Sequence, residues 1–146
     1  MRKLPEQAAG GSTKDAVLIS IHSKWVEKIA SGEKVLEIRK NFPRLEPPFR
    51  CYVYEAKRGG GRGAVVMEFE CSSYVYCIPS LWDKNFCNAV AKAACLNLNE
   101  LLEYSGRNKI IGWAIKHVKV YDKAKDTLEF GINRIPQSWC YVEERE

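Results

Sequence analysis

Ser31-Gly-Glu-Lys-Val-Leu-Glu-Ile-Arg39 is the stretch on which the fold reading turns. Gly32 stands where a preceding helix would stop, because the left-handed position after a helix favours glycine. From Lys34 the residues alternate. Leu36 and Ile38 share one face of a strand, and Val35, Glu37 and Arg39 share the other. If the Leu/Ile face meets the core, Glu37 and Arg39 point together away from it. Lys34 and Glu37 fall on opposite faces of an ideal strand, although Lys34 is close enough to the turn at Gly32 to swing round.

Upstream, Ala16 to Ile21 (AVLISI) is a short apolar run and reads as a buried strand. Ser23 is a candidate cap for a helix that carries Trp25, Val26, Ile29 and Ala30 inward at helical spacing. Residues 1–15, with Gly10-Gly11-Ser12-Thr13, read as a flexible lead-in. Downstream, Asn41 to Phe49 holds Pro43, Pro47 and Pro48 and reads as a loop. Arg50 to Ala56 alternates as a second strand, with Tyr52 and Tyr54 on one side. Gly59 to Gly63 is a turn that fits neither common phosphate-loop spacing, with Arg58 and Arg62 at its tip. A strand follows from Ala64 to about Ser73. Pro79 introduces a helix from Ser80 to about Ala94, and Asn97 or Asn99 caps another that ends at Gly106. Ile110 to Tyr121 alternates again through Trp113, Ile115, Val118 and Val120, and Trp139 to Val142 reads as a short final strand. This order predicts an α+β fold, a small mixed or antiparallel β-barrel flanked by helices, as one domain over 16–146.

Composition bounds the function. Of 146 residues, 46% are hydrophobic and 28% charged, which excludes wholesale disorder. No run approaches the roughly 18 apolar residues of a membrane span. Met1 to Asp15 is polar without the apolar core of a signal peptide, so a cytoplasmic protein without a membrane role is expected. The net charge of +5 is unevenly spread: residues 22–62 hold ten Lys/Arg against five Glu. Clustered positive charge is what an anionic partner needs, and a solvated face kept for solubility has the same composition. The six cysteines lack the two-to-four-residue spacing of structural zinc ligands and read as free thiols. No metal or cofactor is expected.

The run Ser31 to Arg39, after a first strand and a Trp-bearing helix, resembles the signature of the ASCH domain family. Those domains carry an S/A-G-x-K-[TV]-x-E-x-R type run within a barrel similar to the PUA domain. The resemblance extends from Val17 to about Val142. Gly112-Trp113 and Pro136-Gln-Ser-Trp-Cys-Tyr141 look like a bacterial or phage branch of that family. The resemblance implies a cleft between the first helix and the strand carrying Glu37 and Arg39. It also implies RNA or a modified nucleoside or nucleotide as partner. Lys34, Arg39 and Lys40, with Glu37 between them and aromatic residues nearby, fit the composition of a single-strand RNA site. On this reading Glu37 accepts from a base edge, while Lys34, Arg39 and Lys40 hold phosphate. His22, Lys24, Tyr54, Ser138 and Trp139 complete the candidate set, with His22 at the strand–helix junction and Ser138-Trp139 returning to the barrel mouth. For His22, Tyr54 and Trp139 a structural role competes with the binding role.

Some small ASCH-like proteins resemble one another as amidohydrolases of N4-acetylcytidine, with a G-x-K-T-x-T run and a later Glu. Gly32 and Lys34 match, but Val35 and Glu37 stand at the two Thr positions. Aligning the later segment on Leu96 to Leu101 puts Ala94 at the Glu position. That activity is therefore not expected as such. A hydrolase of a modified nucleoside (N4-acylcytidine-like) or of RNA, with Lys34 and Glu37 as its catalytic pair, is the alternative, and a protein-interaction module is a third. The oligomeric state is left open.

Overall fold

A computed structural model of the chain describes residues 14–145. The lead-in expected over 1–15 lies almost wholly outside the described residues. The elements in chain order are β1 (Ala16–Ile21), α1 (Ser23–Ser31), β2 (Leu36–Arg39), β3 (Phe49–Glu55) and β4 (Ala64–Cys77). They continue with α2 (Lys84–Ala93), α3 (Leu98–Ser105), β5 (Ile110–Lys125), a 3-10 turn (Thr127–Phe130) and β6 (Trp139–Val142). The strands form one mixed six-stranded sheet, ordered β2-β5-β4-β3-β1-β6, curled as a half-barrel. The architecture is α+β, as the order of elements predicted.

Two-sided burial fixes the centre of this sheet. Val17, Ile19 and Ile21 of β1 and Cys51 and Val53 of β3 face a core that also holds Val26 and Ile29 of α1. The alternate residues Ala16, Leu18, Tyr52 and Tyr54 pack on the opposite face with Phe130 of the 3-10 turn. A strand covered on both faces reads as a continuous apolar run, as β1 does. It pairs parallel to β3, across the α1–β2 connection, and antiparallel to β6.

The β4 and β5 strands are longer than their alternation indicated, reaching Cys77 and Lys125. They pair with three register irregularities, and bulges of this kind let long strands bend. One falls near His117, whose φ is 55°. The apolar residues change phase there, from Trp113 and Ile115 to Val118 and Val120, and both of those valines are exposed. Helix α2 begins at Lys84 rather than Ser80, because the Asp83 side chain accepts from Phe86 N at 3.0 Å and caps it there. Of the two expected caps for helix α3, Asn97 is the one used, closed by a reciprocal bond with Glu100, and the helix ends at Gly106.

The α2–α3 pair covers the outer side of β2. Leu36 and Ile38 join Cys87, Val90, Ala91 and Leu101 in a separate apolar cluster. This turns Glu37 and Arg39 to the inside of the curl. All six cysteines are free, four of them buried and Cys95 and Cys140 only partly so. No helix among the described residues is long and apolar enough to cross a membrane.

Candidate functional site

The two edge strands of the half-barrel, β2 and β6, are joined by side chains. Arg39 Nη1 donates to Ser138 Oγ at 2.8 Å, and Arg39 Nη2 donates to the Ser20 carbonyl at 2.8 Å. Just beyond β2, Asn41 Oδ1 accepts from Trp139 Nε1 at 3.0 Å, and the Asn41 carbonyl accepts from Trp113 Nε1 at 3.3 Å. Beside this seam, between α1 and α3, opens a cavity of about 520 Å³. Glu37 and Arg39 line it from β2, and Trp25 lines it from α1. Leu96, Glu100 and Tyr104 line it from α3 and the residues before it.

Lys34 lies between α1 and β2, before the strand pleat begins, so ideal strand geometry does not govern its direction. Its buried Nζ donates to the Ala94 carbonyl at 2.9 Å and lies 3.4 Å from Glu37 Oε1. The ammonium also sits 4.9 Å from the Trp25 ring centroid. The position aligned with a carboxylate in the amidohydrolase pattern thus supplies a backbone acceptor to the same lysine. Burial pushes the Lys34 amine below its ordinary value of 10.5, and the Glu37 carboxylate offsets part of that shift.

Glu37 is itself buried. Its Oε2 accepts from Arg39 Nε at 2.9 Å and pairs with Nη2 at 2.8 Å. Its Oε1 has no hydrogen-bond partner, although the Lys34 ammonium is near. A carboxylate oxygen out of water normally finds a donor, so Oε1 is an unmet buried acceptor on a residue that lines the cavity.

The structure brings six of the nine sequence-predicted site residues to the cavity wall: His22, Lys34, Glu37, Arg39, Lys40 and Ser138. His22 also caps α1 in place of Ser23, with Nδ1 accepting from Lys24 N at 3.0 Å, which leaves Nε2 as the ring donor. The glycine turn packs on this ring, since a Cβ at Gly59 would lie 2.5 Å from His22 Nε2. Lys24 is exposed beside the cavity, with Nζ 4.7 Å from the Trp25 centroid. Tyr54 is not at the cleft: it is buried on the opposite face of β3, where alternation puts it with Tyr52. Trp139 stands behind the rim, stacked edge-on against Trp113 and Tyr141.

Arg39 is placed as expected, but its donors are directed to Glu37, Ser138 and Ser20, so it closes the barrel rather than reaching out. Lys34 is too buried to hold a backbone phosphate. Exposed Lys40, with Nζ 4.8 Å from the Tyr104 centroid, and Lys24 are the accessible cations. At the glycine turn, Arg62 Nε lies 3.6 Å from Glu55 Oε1. Sequence reasoning missed Asn41, Leu96, Glu100 and Tyr104, and assigned Trp25 to the core alone. One signal was available: Glu100 and Tyr104 are four residues apart and share a helix face.

A curled six-stranded sheet with a cleft between its first helix and an edge strand defines a class of small α+β half-barrels. The ASCH protein of Zymomonas mobilis has this fold: its crystal structure matches at a TM-score of 0.73 over 90% of each chain, with 15% sequence identity. Two single-substitution variants of that protein match at a TM-score of 0.72, also at 15% identity, one over 90% of each chain and the other over 89% of this chain and 91% of its own. The chain has the ASCH-domain fold. No protein-family model matches its sequence, and no curated protein does.

Proposed function

We propose that the cleft binds a nucleotide of single-stranded RNA, or a free nucleotide of the same chemistry. The observation that carries this reading is the buried Glu37 Oε1, an acceptor without a hydrogen-bond partner 3.4 Å from the Lys34 ammonium, on a residue that lines an aromatic-walled cavity. A nucleobase edge presents a donor next to an acceptor, which complements this pair, and its flat faces suit Trp25 and Tyr104. Lys24 and Lys40 stand at the exposed side, where phosphate would lie.

The test is fluorescence anisotropy of short labelled single-stranded RNAs at low and physiological salt. Glu37→Gln should weaken binding about tenfold or more, the scale of one hydrogen bond to a charged group. Because Glu37 also anchors Arg39, Tyr104→Ala is measured beside it as a rim variant that leaves that network intact. It should lose about fivefold or more, at the low end of base-stacking energies. Binding that neither substitution affects, in folded protein, rejects the cleft. No binding of RNA or nucleotide at either salt would leave the fold as a protein-interaction module.

A second reading, hydrolysis of a modified nucleoside or of RNA, draws on one observation. Burial lowers the Lys34 amine, which favours the neutral form able to take a proton from water, and Glu37 lies beside it to share the charge. Turnover of an acylated cytidine or of RNA that Lys34→Met abolishes while binding persists would support it. Absence of turnover on both would remove it.

A further inference from the structure

The aromatic wall does not end at the rim of the cleft. Phe42, 40% exposed, follows Asn41 out of the cavity. Its ring meets Tyr74 edge-on at 5.0 Å and Tyr76 at 6.1 Å between centroids. Tyr76 is 42% exposed, and Lys109 Nζ lies 5.6 Å from its centroid. Register places this group on the cleft side of the sheet. Arg39 pairs with Ile111 and Ile111 with Tyr76, while Glu37 pairs with Trp113 and Trp113 with Tyr74. Residues directly paired across strands share a face. Tyr76 is therefore two strand spacings, roughly 10 Å, from Arg39.

We propose that Phe42, Tyr76 and Lys109 form a second base-stacking platform for a neighbouring nucleotide of the RNA strand whose first base sits in the cleft. The inference rests on the reading of the cleft given above and extends it from one nucleotide to a strand. The roughly 10 Å offset is about three times the 3.4 Å rise of stacked bases, so the platform serves another nucleotide rather than the same one. Charge distinguishes an RNA strand from an apolar protein partner. Ammonium groups accompany the rings from the cleft outward: Lys24 and Lys34 at Trp25, Lys40 at Tyr104, and Lys109 at Tyr76. Lys24, Lys40 and Lys109 form no ion pair among the described residues. An apolar partner would have to desolvate those charges, whereas a polyanion with stacking faces neutralises them. The exposed Trp82–Phe86 pair makes the contrast, since no cation among the described residues stands over either ring.

The full chain is titrated with the four nucleoside 5′-monophosphates, then with the homopentanucleotide of the tightest. The pentamer should bind about tenfold or more tighter than its monomer. Tyr76→Ala should remove about 5- to 100-fold of pentamer affinity, and Tyr76→Phe, which keeps the stacking face, should retain it. Monophosphate affinity should stay within about twofold of wild type in both variants, since one nucleotide does not span the platform. A pentamer that gains nothing over its monomer overturns the second platform and leaves the cleft reading standing. A gain that survives both Tyr76→Ala and Phe42→Ala does the same. Failure of every monophosphate and every pentamer to bind removes the cleft reading, and this one with it.

Discussion

Lys34 reaches the cleft from the turn between α1 and β2, and burial holds its amine below 10.5 despite the carboxylate beside it. The consequence for stability has a definite sign. Between the lowered folded value and 10.5 the unfolded chain binds the Lys34 proton and the folded chain does not, so stability rises with pH across that window. Below the folded value both states are protonated and the slope vanishes. Each unit of the shift is worth about 1.4 kcal/mol. Lys34→Met should therefore remove a rise in urea midpoint that wild type shows as pH climbs toward 10.5, read as the difference between the two proteins. Identical slopes in both would mean that Lys34 is solvated. At this scale the sequence was legible in residue type and only partly in geometry. Gly32, Lys34, Glu37 and Arg39 were identified from their offsets, and the contact between Lys34 and Glu37 was not, because alternation applies only from Leu36 onward. Tyr54 was misplaced for the complementary reason: strand alternation says which residues share a face but not which face is the cleft.

Elements were more legible than their pairing. Helix caps at Asn97, Gly32 and Gly106 and the short strands β1 and β6 follow from local chemistry. The parallel β1–β3 pair and the joining of edges β2 and β6 depend on contacts between residues far apart in sequence, which local patterns do not encode. The β2–β6 seam concentrates on Arg39, whose side chain is 14% exposed and is tied to Glu37, Ser138 and Ser20. Arg39→Ala would leave the Glu37 carboxylate buried with Lys34 as its remaining cation, and removing one partner of a buried pair costs about 3–5 kcal/mol. Urea denaturation should report that loss. Amide exchange in Trp139–Val142 should accelerate more than in β3, because β6 has a ladder partner on one side alone. Arg39→Lys should recover only part, since an ammonium cannot span three acceptors in the fork geometry of a guanidinium. Uniform acceleration across the sheet would show that Arg39 supports global stability rather than the seam.

Over the whole molecule, the basic stretch read from the sequence divides in two. Lys24, Lys34, Arg39 and Lys40 converge on the cleft. Arg50 instead meets Glu68 at 3.5 Å and Glu144 at 3.2 Å, and Arg62 meets Glu55. Linear charge counting therefore overstates the anion-facing surface from one end of the segment. It also misses Lys109, which β5 brings into reach of the outer platform. If RNA follows the path from Lys24 past Lys40 to Lys109, each of those cations neutralises about one phosphate. For single strands the slope of log K against log salt changes by about 0.7 per phosphate contact. Lys40→Ala should make the slope for a pentanucleotide shallower by about 0.7, and Lys24→Ala and Lys40→Ala together by about 1.4. Arg50→Ala, with its charge already balanced by Glu68 and Glu144, should leave the slope unchanged. Equal slopes in wild type and the double variant would place the phosphates elsewhere on the surface, and a slope change at Arg50 would move the strand to the opposite face of the sheet.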